Sequence, residues 1–186
     1  ENGKGDSADS AAETIFAAEA VGLAGCSIED ATGDRARPIY DFNQAVERVA
    51  AAAEAARALS RDFVFTARCE NFLHGRDDLE DTVKRLQAYE KAGADVLYAP
   101  GLTDIAVVRT ICQSVSRPVN VLAVPQLTMA QLNETGARRI SLGSKLTNYA
   151  FGSLERASRE MLDHGTFTFA RDATPFATLQ NMFSPG

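Results

Sequence analysis

A chain of 186 residues, 45% hydrophobic and 24% charged, is long enough to bury a globular core and ordinary in composition for one. Its formal net charge of -6 argues against nucleic acid or an anionic membrane surface as partner. No apolar run reaches the ~18 residues of a transmembrane helix, and the opening "ENGKGDSADS" has neither the basic nor the apolar region of a secretory signal.

That opening also lacks an initiator Met, so a trimmed or incomplete chain is expected. From about Ala8 to Val21 the pattern predicts a first helix. "CSIED" follows as a short β-rich run that ends on the adjacent carboxylates Glu29 and Asp30. Asp41 to Leu59 predicts a helix with Phe42, Val46, Val49, Ala53 and Ala56 on its core face and Arg48, Glu54 and Arg57 elsewhere. Asp41 and Gln44 stand in the spacing of a capping box. "FVFTARCE" is the next strand. Asp78 to Ala92 is a helix through Leu79, Val83, Leu86 and Tyr89, with Glu80–Lys84 and Asp81–Arg85 placed to pair along it. "VLYAP", a helix marked by Ile105, Val108, Ile111 and Val115, and "VNVLAV" come next. Thr128 and Gln131 then open a short helix before "RISLG", and a last long helix runs from Lys145 to Asp163.

The recurrence is the main structural message. An amphipathic segment ends at a glycine, two residues pass, and a short strand begins, with Gly22, Gly93 and Gly136 in equivalent places. Five short apolar strands separated by helices predict a parallel α/β sheet with right-handed crossovers. Two architectures suit it, a doubly wound sheet or part of a (β/α)8 TIM-type barrel. A whole barrel usually takes ~250 residues, so about three further strands are expected before Glu1. Residues 1–165 would then form the barrel part and residues 166–186 a terminal segment.

Parallel strands bind ligands at their C-terminal ends in either architecture. Glu29 and Asp30 end the first strand, Arg68 and Glu70 the second, and Glu1 begins the chain as if ending a strand of its own. Carboxylates and a guanidinium on one rim are what a metal ion and an anionic substrate need. Asp30 is read as a loop cap or as an orienting partner of Arg68. Glu70 either orients Arg68 or touches substrate, and Asn120 is a candidate for the same pocket. His74 and His164 read as a loop and a helix-end residue. The three cysteines, Cys26, Cys69 and Cys112, are an odd, unpaired set that fits a reducing, cytoplasmic setting and a role as small core or strand residues.

Read in order, "ENGKGD", "GCSIEDATGD", "FTARCENF", "YEKAGADVLYAPGL" and "ARRISLG" resemble the isocitrate lyase/phosphoenolpyruvate mutase superfamily, nearest to its phosphonomutase-like and 2-methylisocitrate-lyase-like branch. The resemblance implies a (β/α)8 barrel, assembled as a tetramer or dimer through exchange of a C-terminal helix. It also implies Mg²⁺, which stabilises a pyruvate-like enolate while a C–C or C–P bond is made or broken. Glu1 matches the second acidic residue of the superfamily's third-strand motif and is a candidate metal residue. Glu29 matches the glutamate that holds Mg²⁺ through water, and Arg68 the arginine that binds the substrate carboxylate.

Two departures stand out. The loop "DATGDRARPIYD" has none of the Lys-Lys-Cys-Gly-His residues with which the lyases donate a proton, nor the mutase's Lys-x-Asn-Ser, and Cys26 lies too early to replace them. After "GADVLY", where mutases have His and lyases Glu, this chain has Ala99 and Pro100. The expectation is a Mg²⁺-dependent lyase that cleaves a C–C bond in, or decarboxylates, a small 2-oxo or 2-hydroxy carboxylate. The alternatives are phosphonomutase-type C–P chemistry and a non-catalytic carboxylate-binding homologue.

Overall fold

The computed structural model describes residues 2–184. The chain divides into two compact units, the first ending at Ser141 and the second beginning at Leu142.

The first unit repeats helix and strand: α1 (Ala8–Ala20), β1 (Gly25–Glu29), α2 (Phe42–Arg57), β2 (Val64–Arg68), α3 (Leu79–Ala92), β3 (Val96–Tyr98), α4 (Ile105–Ser114), β4 (Val119–Leu122), α5 (Met129–Glu134) and β5 (Arg139–Ser141). A single 3-10 turn, Asn71–His74, follows β2. The five strands form one parallel sheet in the order β1-β2-β3-β4-β5. A doubly wound sheet reverses its order at a switch point. Here each strand adds beside the last without reversal, which is the succession of a TIM-type barrel.

Local chemistry explains the joints. Gly93 caps α3 with φ of 109°, a conformation that a side chain would strain, and a Cβ there would lie 2.4 Å from Arg57 Nη2. Gly22 and Gly136 occupy the same place in their units, with φ of 85° and 92°. Asp78 caps α3 by accepting from the Asp81 N–H, and Thr128 and Gln131 close a reciprocal capping box on α5. Asp41 precedes α2, but its side chain makes no capping bond, so the box expected there does not form.

Alternation sorts the strands into two faces. Ile28, Phe65, Ala67, Leu97, Val119 and Val121 point to the helices and are buried with Ile15, Val49, Leu86 and Ile111. Glu29, Thr66, Arg68, Tyr98, Asn120 and Arg139 share the opposite, polar face. The core face of α2 also differs from the expected one. Ala45, Arg48, Val49, Ala52, Ala53 and Ala55 are its buried residues. Arg48 is 1% exposed because its guanidinium donates to the carbonyls of Asn2, Gly5 and Ser7 and stacks 4.6 Å from the Tyr40 ring. A helical wheel counts an arginine as solvent-facing, whereas backbone carbonyls from a loop 41 to 46 residues away claim this one.

The second unit holds α6 (Lys145–His164), a 3-10 turn (Thr168–Arg171) and α7 (Phe176–Phe183). Gly165 ends α6 in the left-handed conformation, and the Glu160 carboxylate accepts from the Thr166 hydroxyl and from the Thr168 and Phe169 N–H groups. None of its helical residues is buried. Among the described residues, no helix is long and apolar enough to cross a membrane.

Candidate functional site

Strand register builds the site. Glu29 pairs with Arg68, Arg68 with Tyr98, Tyr98 with Asn120, and Asn120 with Arg139, so one row of polar side chains crosses all five strands on one face. Parallel pairing keeps register partners on the same side. The row sits at or near the C-terminal ends of β1, β2 and β3.

Arg68 is its centre. Its Nε donates to Glu70 Oε1 at 2.9 Å, and its Nη2 lies 2.8 Å from the same oxygen and 3.2 Å from Glu29 Oε2. The guanidinium also lies over the Tyr98 ring, 5.2 Å from its centroid. The Arg68 and Glu29 side chains keep 20% and 17% exposure, whereas Glu70 keeps 3%. Glu29 and Arg68 are therefore within reach of a ligand, and Glu70 works from behind. Burial raises the Glu70 pKa above the usual carboxylate range; the charge of Arg68 pulls it down and that of Glu29 pushes it up.

Around Arg68 two carboxylates meet one guanidinium, while the second guanidinium of the row, Arg139, is engaged with Asn120 and Thr66. All the donors are carboxylate oxygens, which suit a hard divalent cation that keeps most of its waters. Among the described residues, no three His, Cys, Asp or Glu side chains are placed to hold a metal ion together. Glu29, the partly exposed carboxylate of this rim, is the residue that would hold such an ion through water. The expected role of Glu1 lies outside the described residues.

Asn120 is on the Arg68 face but is 2% exposed and engaged at both ends of its amide. It donates to Ser141 Oγ at 3.0 Å and accepts from Arg139 Nε at 2.9 Å, while Arg139 Nη2 reaches Thr66 Oγ1 at 3.0 Å. Asn120 touches a ligand only if these bonds open.

Asp30 takes a place that the sequence did not disclose. It neither bonds Arg68 through its side chain nor caps its own loop. One residue beyond Glu29, alternation turns it to the helix side, where it is 3% exposed. Its Oδ1 accepts from the Glu70 N–H at 2.8 Å, and its Oδ2 accepts from the Tyr89 hydroxyl at 2.6 Å and Arg85 Nη1 at 3.2 Å. Burial raises the Asp30 pKa in spite of these bonds, and pushes the Tyr89 hydroxyl and the Cys69 thiol well up, the nearby Asp30 carboxylate adding to both. Arg85 does pair with Asp81, at 2.7 Å as the helical spacing predicts, but it is a buried residue rather than a surface one. The partners of Asp30 lie 40 to 59 residues away, beyond any local pattern.

The loop after β1 folds on itself. Ala31 and Ile39 form an antiparallel bridge, the Thr32 N–H donates to the Pro38 carbonyl, and the Thr32 hydroxyl donates to the Arg37 carbonyl. Where the resemblance placed His or Glu, Ala99 is buried beside β3. His74 and His164 end their turn and helix as expected, and the three thiols are free, with Cys112 on α4.

A family model described as phosphoenolpyruvate phosphomutase matches residues 1–162. The solved structure of a candidate lyase/mutase from Burkholderia cenocepacia J2315 superposes with a TM-score of 0.93 at 48% identity, covering 99% of this chain and 67% of that one. A candidate phosphonomutase from the same organism gives a TM-score of 0.77 at 33% identity, over 86% of this chain and 68% of that one. The 2-methylisocitrate lyase of Escherichia coli K12 is 31% identical over 141 residues, 73% of this chain and 43% of its own. Across the curated relatives first matched, this chain spans 43% to 65% of their length.

Proposed function

The chain belongs to the phosphoenolpyruvate phosphomutase family, and on that premise we propose that it acts as a Mg²⁺-dependent lyase. The reaction proposed is C–C cleavage or decarboxylation of a small 2-oxo or 2-hydroxy carboxylate. One observation carries the reading: a partly exposed guanidinium and a partly exposed carboxylate, Arg68 and Glu29, share one register position at the ends of neighbouring parallel strands.

Arg68 binds the substrate carboxylate with charge-assisted hydrogen bonds. Glu70 holds the opposite edge of the guanidinium, and the Tyr98 ring limits its swing. Glu29 holds Mg²⁺ through its water shell, with Glu1 as the second acidic position. When bound, the ion supplies positive charge against a developing enolate. A dianionic substrate would otherwise meet two carboxylates at this rim.

The test is turnover of oxaloacetate, 2-methylisocitrate and phosphonopyruvate by the full-length protein, with and without Mg²⁺. Arg68→Lys keeps the charge but loses the planar fork. Loss of a charge-assisted hydrogen bond costs roughly 1.5–3 kcal/mol, about ten- to a hundred-fold in kcat/KM. Glu29→Gln is expected to raise the Mg²⁺ concentration needed for half-maximal rate and to leave thermal stability nearly unchanged. Parent-like turnover by Arg68→Lys would reduce Arg68 to an ion-pair partner.

A second reading, carboxylate binding without catalysis, is favoured by the loop after β1. It closes through Ala31 and Ile39 and offers no Cys, His or Lys to donate a proton. Binding of oxalate without turnover of any of the three substrates would select it. Turnover of phosphonopyruvate alone would select C–P chemistry.

A further inference from the structure

Arg68 is aimed by Glu70, but nothing in the β-ladder places Glu70. β2 ends at Arg68. The Cys69 N–H still reaches the Tyr98 carbonyl at 2.8 Å, and there the chain turns out of the sheet into the Asn71–His74 turn. The Glu70 N–H is buried at this exit and donates to Asp30 Oδ1, 2.8 Å away. A buried N–H without an acceptor costs free energy comparable to a lost hydrogen bond. Asp30 thus ties the strand exit to β1 at the Glu70 N–H, while the Leu73 and His74 N–H groups hold the Glu70 carbonyl from the other side.

We propose that Asp30 is a positioning residue that sets the direction of the Arg68 guanidinium through Glu70, with Arg85 and Tyr89 holding Asp30 in turn. The link to binding rests on Arg68 being the carboxylate-binding group. The chain of contacts is continuous. Tyr89 and Arg85 fix Asp30 Oδ2 from α3, Asp30 Oδ1 fixes the Glu70 backbone, and Glu70 Oε1 takes both Nε and Nη2 of Arg68. Arg68 Nη1 takes part in none of these contacts, so the same clamp that fixes the guanidinium points that edge away from Glu70.

The competing account is a plain core ion pair. The Asp30 and Arg85 side chains keep 2% and 4% exposure, and at that depth desolvation offsets much of the attraction, so stability alone is a weak reason for the pair. What Asp30 does that a core ion pair need not do is hold a backbone N–H two residues from Arg68.

Two measurements on the full-length protein separate the accounts. The first is the ¹⁵N–¹H resonance of Arg68 Nε, identified by its loss in Arg68→Lys. In Asp30→Asn it is expected to shift and to exchange faster with water. Tyr89→Phe removes one bond to Asp30 with little change of volume. It is expected to move the resonance in the same direction by less, and it serves if Asp30→Asn does not fold. Val108→Ala removes a fully buried side chain of α4 that belongs to none of these contacts, so it is expected to lower stability without moving the resonance. The second measurement is calorimetric affinity for oxalate, whose coplanar carboxylates mimic a 2-oxo acid enolate. Asp30→Asn is expected to weaken it about tenfold, the scale of an outer-shell defect. Added to Arg68→Lys it should weaken it no further, because both act through one group.

An unmoved Arg68 resonance in both Asp30→Asn and Tyr89→Phe overturns the proposal, as do independent, multiplying losses in the double variant. A resonance that shifts in these variants, together with a parent that binds no oxalate, upholds the positioning role and instead overturns the carboxylate-binding reading of the site.

Discussion

The two units spell the same amphipathic pattern and do opposite things with it. Up to Ser141, Phe65, Leu86 and Leu97 are 0% exposed, each covered by a neighbouring helix or strand. From Leu142 on, Phe151 is 65% exposed, Leu162 84% and Phe183 85%. The second unit is ordered by its polar contacts at Glu160 and by the cap at Gly165, not by a core. Periodicity predicts that a helix forms, but it does not say what covers the apolar face. In the first unit each βα repeat covers the next. So many large apolar side chains left on one terminal segment mark a surface that needs a partner. The partner we propose is a second copy of this chain, in a homo-oligomer.

The sharpest way to break the contrast is a pair of truncations. Phe65→Ala removes a fully enclosed ring on β2 and should cost about 3–5 kcal/mol in denaturant unfolding. Phe151→Ala removes an exposed ring and should change unfolding of the separated chain by no more than about 0.5 kcal/mol. It should instead lower the mass seen by light scattering at dilute concentration. Equal destabilisation by the two substitutions would mean that the units are not different in kind.

Deletion after Gly165 tests the assembly more broadly. It removes Phe167, Phe169, Phe176, Leu179, Met182 and Phe183 and leaves the strands and α1 to α6 intact. The expected outcome is a smaller particle by light scattering with unfolding of the first unit little changed. An unchanged mass would refute the proposed docking of the tail.

What the sequence disclosed follows the same division between local and distant causes. All five strands and helices α1 to α6 were legible because alternation, 3.6-residue periodicity and the glycines after α1, α3 and α5 are written within a dozen residues, whereas α7 lies in the segment read only as a tail. Glu29 and Arg68 were legible as a pair for a similar reason: both end strands, and parallel pairing brings strand ends together. For Asp30, read as a loop cap or an orienting partner of Arg68, the contacts were not legible, because one step along the strand turns it to the other face and its partners Arg85 and Tyr89 come from α3. Arg48 was misplaced for a related reason. Its acceptors are three backbone carbonyls, which no side-chain pattern encodes. Tyr98 gave a signal that went unused, since it ends β3 in register with Arg68.

The smallest expected effect probes the same boundary within the first unit. Asp41/Gln44 and Thr128/Gln131 are equivalent in sequence, each an acceptor three residues before an amide. Only the second closes: the Thr128 hydroxyl accepts from the Gln131 N–H at 3.3 Å, and Gln131 Oε1 accepts from the Thr128 N–H at 2.9 Å. Gln44 instead donates toward the Asp6 carbonyl at 3.4 Å, drawn off by the loop that Arg48 also gathers. Thr128→Ala removes the hydroxyl that accepts from the Gln131 N–H and leaves only the Gln131 half of the box, and should cost about 1 kcal/mol in thermal or denaturant unfolding. Thr128→Ser keeps the hydroxyl and should lose only a few tenths of that, as does Asp41→Ala, which removes a surface charge near a helix N-terminus but no capping bond. If Asp41→Ala costs as much as Thr128→Ala, a cap forms at α2 in solution and local pattern outweighs the distant loop there too.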